Sequence, residues 1–273
     1  MAKSTRPTVR IVQHKPKKPR STTQRKKTTK NKFQTRTWIW VGISILLLFI
    51  VVLNLLPDTS EKVEKQKIEE LKLHIPVGFN SFGLDISHHQ GTIDWNTILV
   101  KNKLDTLINF IYCKATEGTN FVDEEWENNR KSLNEIGVRN GAYHFFNPDK
   151  DPIQQARHFI SIWKPRDIDL PPVLDVEVEN STKDDVELKK SMTKWLMYIE
   201  KKTGHHPIIY TQDNFFIKKF KNEFLNYNFW IASYTNKPIE LNFKRIVHWQ
   251  YSKTGEIPGI NEKVDFNVSK QKL

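Results

Sequence analysis

The stretch LPPVLDVEVEN, Leu170 to Asn180, decides how the chain is read. It opens as a buried β-strand should, with prolines at its edge followed by Val173, Leu174 and Val176. Asp175, Glu177 and Glu179 then occupy every second position. Side chains two apart on a strand share a face, so at least two carboxylates point the same way, roughly 6–7 Å apart along the chain. Like charges held so close repel, and burial strengthens the repulsion. A chain that builds this needs a use for it.

Outward from this stretch, eight apolar runs have strand length. They are 82–86, 107–115, 141–146, 172–177, 207–211, 229–234, 246–251 and 264–268. A helical pattern follows each of the first five. The first starts at Asp94 and turns Trp95, Ile98 and Leu99 inward; the second holds Trp126, Leu133 and Ile136 and stops at Gly137. The third spaces Ala156, Phe159, Ile160 and Trp163 on one face, and the fifth covers Asn214 to Leu225. The fourth opens at Asp184 or Asp185, uses Leu188, Met192, Trp195, Leu196 and Ile199, and ends at Gly204, a helix-stop residue. After the sixth and seventh runs only short polar loops remain. Alternating strands and helices predict a parallel sheet, and eight strands are enough to close it. The predicted fold is an α/β, irregular TIM-like barrel, (β/α)5(β)3, with antiparallel pairing near its end.

Such barrels carry their chemistry at the C-terminal ends of the strands. That rule gathers Asp85, Glu117, Asp175, Glu177, Asp265, His144, Tyr210, Tyr234 and Gln250 at one rim. Carboxylates with aromatic platforms and no metal ligands suit glycoside hydrolysis, in which one acid protonates the leaving oxygen while a second charge stabilises an oxocarbenium-like transition state. Crowding raises one pKa, so that one group keeps its proton near neutrality. Trp230, Tyr234, Trp249 and Tyr251 supply faces on which sugar rings stack.

In order along the chain stand D-I-S-H-H-Q-G (Asp85–Gly91), K-A-T-E-G (Lys114–Gly118), G-A-Y-H-F (Gly141–Phe145) and L-D-V-E (Leu174–Glu177). W-I-A-S-Y (Trp230–Tyr234), W-Q-Y (Trp249–Tyr251) and V-D-F-N (Val264–Asn267) complete the series. Together they resemble the glycoside hydrolase family 25 lysozymes, the Chalaropsis-type muramidases, over nearly the whole body. The resemblance implies that Glu177 is the catalytic acid/base, Asp175 its partner, and Asp85 and Asp265 further active-site carboxylates. It also implies cleavage of the β-1,4 bond between N-acetylmuramic acid and N-acetylglucosamine. Tyr143, His144, Tyr210, Tyr234, Trp249 and Gln250 are the expected substrate contacts. Retention by attack of the substrate's own 2-acetamido group, oriented by Asp175, is the favoured route. Strand spacing alone does not separate it from direct attack, which wants carboxyls about 5–5.5 Å apart, or from inversion at about 6.5–9.5 Å. A non-catalytic wall-binding module on the same barrel is the alternative; the presence of Glu177 favours the enzyme.

The 273 residues are not uniform in charge: residues 1–37 hold 13 of the 43 Lys+Arg and no acid. The rest carries 43 − 13 = 30 basic groups against 31 acidic ones, so the net charge of +12 belongs to the tail. The tail lacks interleaved aromatic residues, which argues against nucleic-acid binding. Trp38 to Leu56 is uncharged, and as a helix it spans roughly 29 Å, the thickness of a bilayer core. The sequence therefore predicts a basic cytoplasmic tail (1–37), a transmembrane helix (38–56), a linker (57–78) with a charged helix at 60–73, and the barrel (79–273) outside the cytoplasmic membrane. A cleaved signal peptide is the competing reading; the long basic segment and the missing small-x-small site oppose it. Cys113 is the single cysteine, which excludes an internal disulfide. His88–His89 and His205–His206 lack the usual zinc spacings, so neither metal nor cofactor is expected.

Overall fold

The computed structural model describes residues 32–55, 76, 78–102, 108–177, 184–235 and 243–273, with side chains omitted at 32–36, 53–55 and 99–102. Two compact units divide the chain, Met1–Pro57 and Asp58–Leu273. The first contains α1, Lys32–Leu55, whose apolar side chains from Trp38 to Val52 are exposed. Among the described residues no helix is long and apolar enough to cross a membrane. The described side chains of α1 run from 37 to 52, roughly 24 Å of helix at 1.5 Å per residue. The expected span reaches past them to Leu56. Most of the expected tail, almost all of the linker with its charged helix at 60–73, and Glu179 lie outside the described residues.

In the second unit the elements run β1 (Ser81–Ile86), α2 (Trp95–Asn102), β2 (Ile108–Glu117), β3 (Phe121–Val122), α3 (Trp126–Ile136) and β4 (Arg139–Phe145). Then come α4 (Pro152–Trp163), β5 (Val173–Asp175), α5 (Asp185–Thr203), β6 (Ile208–Gln212) and α6 (Asp213–Phe215). The chain ends with β7 (Asn228–Ala232), β8 (Ile246–Gly255) and β9 (Val264–Ser269). Lateral order is β1-β9-β8-β7-β6-β5-β4-β2-β3, and a β1–β2 pairing closes the ring. Eight staves thus form a barrel, with β3 folded back on β2 as a short hairpin. The other staves from β1 through β8 pair in parallel, β3 pairs antiparallel with β2, and β9 runs antiparallel to both β8 and β1.

The staves alternate, apart from bulges such as the one at Val247. Leu84, Ile111, Leu174, Ile209 and Ile231 turn outward into the core shared with Phe159, Trp163 and Trp195 of the helices. Phe110, Tyr112, Val173, Ile208, Trp230 and Val247 turn inward and fill the barrel. Two inward positions must be glycine for those rings to fit. A Cβ on Gly83 would lie 2.6 Å from the Phe110 ring, and one on Gly141 would lie 2.3 Å from Tyr112. The aromatic plug closes one end and leaves polar residues at the other.

Caps fix the helix ends. Asp184 accepts from Glu187 N–H at 2.8 Å and starts α5, and Gly204 ends it at φ 73°. Two expectations need correction. The helix foreseen over Asn214–Leu225 is instead the single turn α6 followed by a π turn, Phe216–Phe220. Phe215 and Phe220 are five apart and meet at 5.2 Å, both buried; the wider i→i+5 turn puts them on one side. The strand expected over 172–177 pairs only at Val173–Asp175, although Val176 N–H still donates to Tyr210 O at 2.9 Å.

Candidate active site

Asp175 and Glu177 face the cleft. Phe146 N–H donates to Asp175 O at 2.8 Å, and the Thr211 hydroxyl donates to Val176 O at 2.8 Å. These bonds hold the segment extended beyond β5, so Val173, Asp175 and Glu177 stay on the cleft side. Asp175 is buried, and its Oδ1 has no hydrogen-bond partner among the described residues. Burial pushes its carboxyl well above the usual range; repulsion from Glu177 and Asp85 and a hydrogen bond shared with Glu177 push the same way. Lys114 opposes this only by its field, because its ε-ammonium bonds Glu117 at 2.7 Å. Glu177 lies nearer the surface, where Gln212 Nε2–H donates to it at 3.2 Å.

A second pair of carboxyls comes from strand register. Asp85 of β1 and Asp265 of β9 stand directly opposite each other on the antiparallel ladder. Gln250 and Asn267 are likewise partners across β8 and β9. Both amides donate to Asp85 Oδ2, Gln250 at 2.9 Å and Asn267 at 2.6 Å. Burial pushes Asp85 up to about 6 in spite of those donors. Burial and the neighbouring Asp85 push Asp265 up to about 8.

The cleft above these carboxyls is walled by Tyr143, Phe145, Tyr210, Trp230, His89 and Lys114. Lys114 is buried with its ammonium 5.0 Å from the Phe145 ring and 5.4 Å from Phe121, so cation–π contact offsets part of its desolvation. His89 is placed by the turn after β1. Ser87 Oγ accepts from His89 N–H at 3.2 Å, Ser87 N–H donates to Gln90 Oε1 at 2.8 Å, and Gly91 leaves the turn at φ 59°. The Ser, Gln and Gly of D-I-S-H-H-Q-G therefore build a capped turn, and only its Asp and second His reach the cleft. Asp123 holds His88 in place through Nδ1 at 2.6 Å and N–H at 3.1 Å.

Asp85, Asp175, Glu177, Asp265, Tyr143 and Tyr210 are thus brought together, as expected. Tyr234 sits half-exposed at the rim with its hydroxyl on Gln250 Oε1 at 2.7 Å. Two expected substrate contacts lie elsewhere. His144 points outward between Tyr143 and Phe145, bonds Thr116 at 2.8 Å and Gln155 at 3.2 Å, and stacks on Trp195. Trp249 also faces the outer core, where its indole N–H donates to Ser233 O at 2.8 Å. Adjacent strand residues face opposite ways, so each is excluded by the neighbour that does face in, Tyr143 for one and Gln250 for the other. Phe145, His89 and Asn267 are site residues that reading by motif passed over. Alternation marks Phe145 and Asn267; no sequence signal marks His89. Among the described residues no cluster of His, Cys, Asp or Glu could hold a metal ion.

The model of the Glycosyl hydrolases family 25 matches residues 84–260, more than half of the chain. The chain belongs to glycosyl hydrolase family 25. It is accordingly a glycoside hydrolase. It is similar to the uncharacterized protein YegX of Escherichia coli, 34% identical over 201 residues that span 74% of each chain. Similarity to Lysozyme M1 of Streptomyces globisporus is 30% over 199 residues, 68% of this chain and 66% of that one. The solved structure of a family 25 glycosyl hydrolase from Bacillus anthracis superposes with a TM-score of 0.64 at 30% identity, covering 72% of this chain and 91% of that one. The family 25 match stops short of β9, so Asp265 and Asn267 enter the site on geometry.

These protonations set a pH dependence of stability. Unfolded Asp265 ionises near 3.8, so between pH 6.5 and 8 it is fully ionised, whereas the folded form keeps its proton until about 8. The folded state therefore loses stability as pH rises through that window. Below it, buried His144 and His248, both lowered to about 3, act the opposite way, because only the unfolded chain takes up their protons. Thermal unfolding between pH 6.5 and 8 is expected to move to lower temperature, and Asp265→Asn to make the decline shallower. An unchanged slope in that variant would contradict the raised Asp265.

Proposed function

We propose that this glycoside hydrolase is a peptidoglycan muramidase that cuts the β-1,4 bond between N-acetylmuramic acid and N-acetylglucosamine. The observation that carries the reading is the Asp175–Glu177 pair, inward on one stave, in a cleft with aromatic walls. Relatives named lysozyme support the substrate. Glu177 is the acid/base: it stands at the open side of the cleft, where a glycosidic oxygen has access to it. Asp175 lies beneath it and orients the substrate's 2-acetamido group, whose attack gives retention. Asp85 and Asp265 close the far side of the cleft. The sugar face stacks on the exposed ring of Tyr234.

The uncharged run Trp38–Leu56 behind 13 basic residues supports a single-pass anchor in the cytoplasmic membrane, N-terminus inside and barrel outside. The full chain should then sediment with membranes and resist carbonate extraction. Quantitative recovery in the soluble fraction would remove the anchor.

Digestion of purified peptidoglycan with residues 58–273 should leave N-acetylmuramic acid at the new reducing end, first formed as the β anomer. N-acetylglucosamine there would reassign the bond, and an α anomer would replace retention by inversion. Glu177→Gln should lower the rate at least about a hundredfold, the low end for general acid catalysis. Unchanged turnover would take Glu177 out of its role.

A further inference from the structure

Behind Asp85 lies a set of buried amides with no place in the steps above. The Asn267 side chain, fully buried, accepts the Trp230 indole N–H on Oδ1 at 3.0 Å and donates through Nδ2 to Asp85 Oδ2 at 2.6 Å. An indole nitrogen donates only, so it can face only the amide oxygen and fixes which end of Asn267 meets Asp85. Gln250 bonds the same carboxyl. Its Oε1 accepts the hydroxyls of Tyr210 at 2.9 Å and Tyr234 at 2.7 Å, and its Nε2 donates to the same Oδ2 at 2.9 Å. Two amides thus aim N–H groups at one carboxylate oxygen, and the donor-only indole fixes the orientation of Asn267. Two N–H donors on one oxygen favour the ionised form of Asp85, which leaves Asp265 as the better place for the pair's proton.

We propose that Asn267 and Gln250 are positioning residues whose amides hold Asp85 as the charged member of the Asp85–Asp265 pair, leaving the pair's proton on Asp265 at the cleft wall. Asp265 then donates to Asp85 in the resting enzyme and presents a neutral edge to the sugar. The other titratable groups facing the pair or its cleft are Glu177, Asp175, His89, Lys114, Lys253, Tyr143, Tyr210 and Tyr234. Lys114 is held by Glu117, and Lys253 favours ionised Asp265, against the assignment; burial and the neighbouring Asp85 outweigh it. Trp230 and Tyr234 act one bond further back, through the amides they bond.

The proposal deepens the hydrolase reading, and its test has two readouts so that the two can fail separately. The full chain in detergent micelles, with aspartate labelled at the carboxyl carbon, is titrated by NMR, and kcat/KM on peptidoglycan is followed over the same pH range. Loss of a donor to ionised Asp85 favours the protonated pair. Asn267→Ala should therefore move both carboxyl midpoints of the Asp85–Asp265 pair upward by about one pH unit and change the pH dependence of kcat/KM. Trp230→Phe and the half-exposed Tyr234→Phe should move them the same way by less. If Asn267→Ala fails to fold, Tyr234→Phe decides. Midpoints left in place while the rate falls equally at all pH values would reduce the amides to packing and overturn the proposal, as would a downward shift. A wild-type chain inactive on peptidoglycan would sink the substrate reading and leave the carboxyl titration to judge the clamp.

Discussion

The structure depends on one electrostatic constraint: four carboxyls must share the mouth of a closed barrel with no ion pair to neutralise them among the described residues. Two come from alternate positions of one segment, Asp175 and Glu177, and two from facing positions of antiparallel strands, Asp85 and Asp265. Buried carboxylates so close cannot all ionise, and the barrel answers with protons and amides instead of lysines. Lys114 is the nearest cation in the cleft wall, yet its ammonium is held by Glu117 and two aromatic rings. An arginine or lysine salt-bridged to Asp175 would stabilise the fold and remove the acid chemistry.

The lower barrel makes this arrangement tolerable. Phe110, Tyr112, Trp230 and His248 pack through the interior, with Gly83 and Gly141 yielding space to the rings. Apolar burial there supplies stability that the polar mouth consumes. The closed sheet removes all but the short β3 edge and fixes each stave's register, so inward side chains have little room to adjust. That rigidity keeps like charges within hydrogen-bond reach. The donors bonded to the amides, Trp230 and Tyr210, are themselves part of the packed interior, so the polar network and the aromatic core are one construction.

Much of this was legible in the sequence because both relevant periods are local. Alternation at 172–177 announced the acid pair, and helical spacing after five of eight strands announced a barrel with an irregular end. What escaped the reading were features set by register or by parity. Asp85 and Asp265 are 180 positions apart, and only the antiparallel ladder puts them opposite each other. His144 and Trp249 sit beside inward residues, and a strict count of alternation from Tyr143 and Gln250 sends both to the helix layer. The fifth helix differs because Phe216 and Phe220, four apart, read as ordinary amphipathic helix, whereas Phe215 and Phe220, five apart, meet only through the wider turn.

The central claim is that one acid of the Asp175–Glu177 pair stays protonated because the other is beside it and water is not. Neutron diffraction from deuterated crystals of residues 58–273, grown near neutrality, observes this directly. The account requires one deuteron between the Asp175 and Glu177 carboxyls. Two bare carboxylates there, or a cation seated between them, would contradict it.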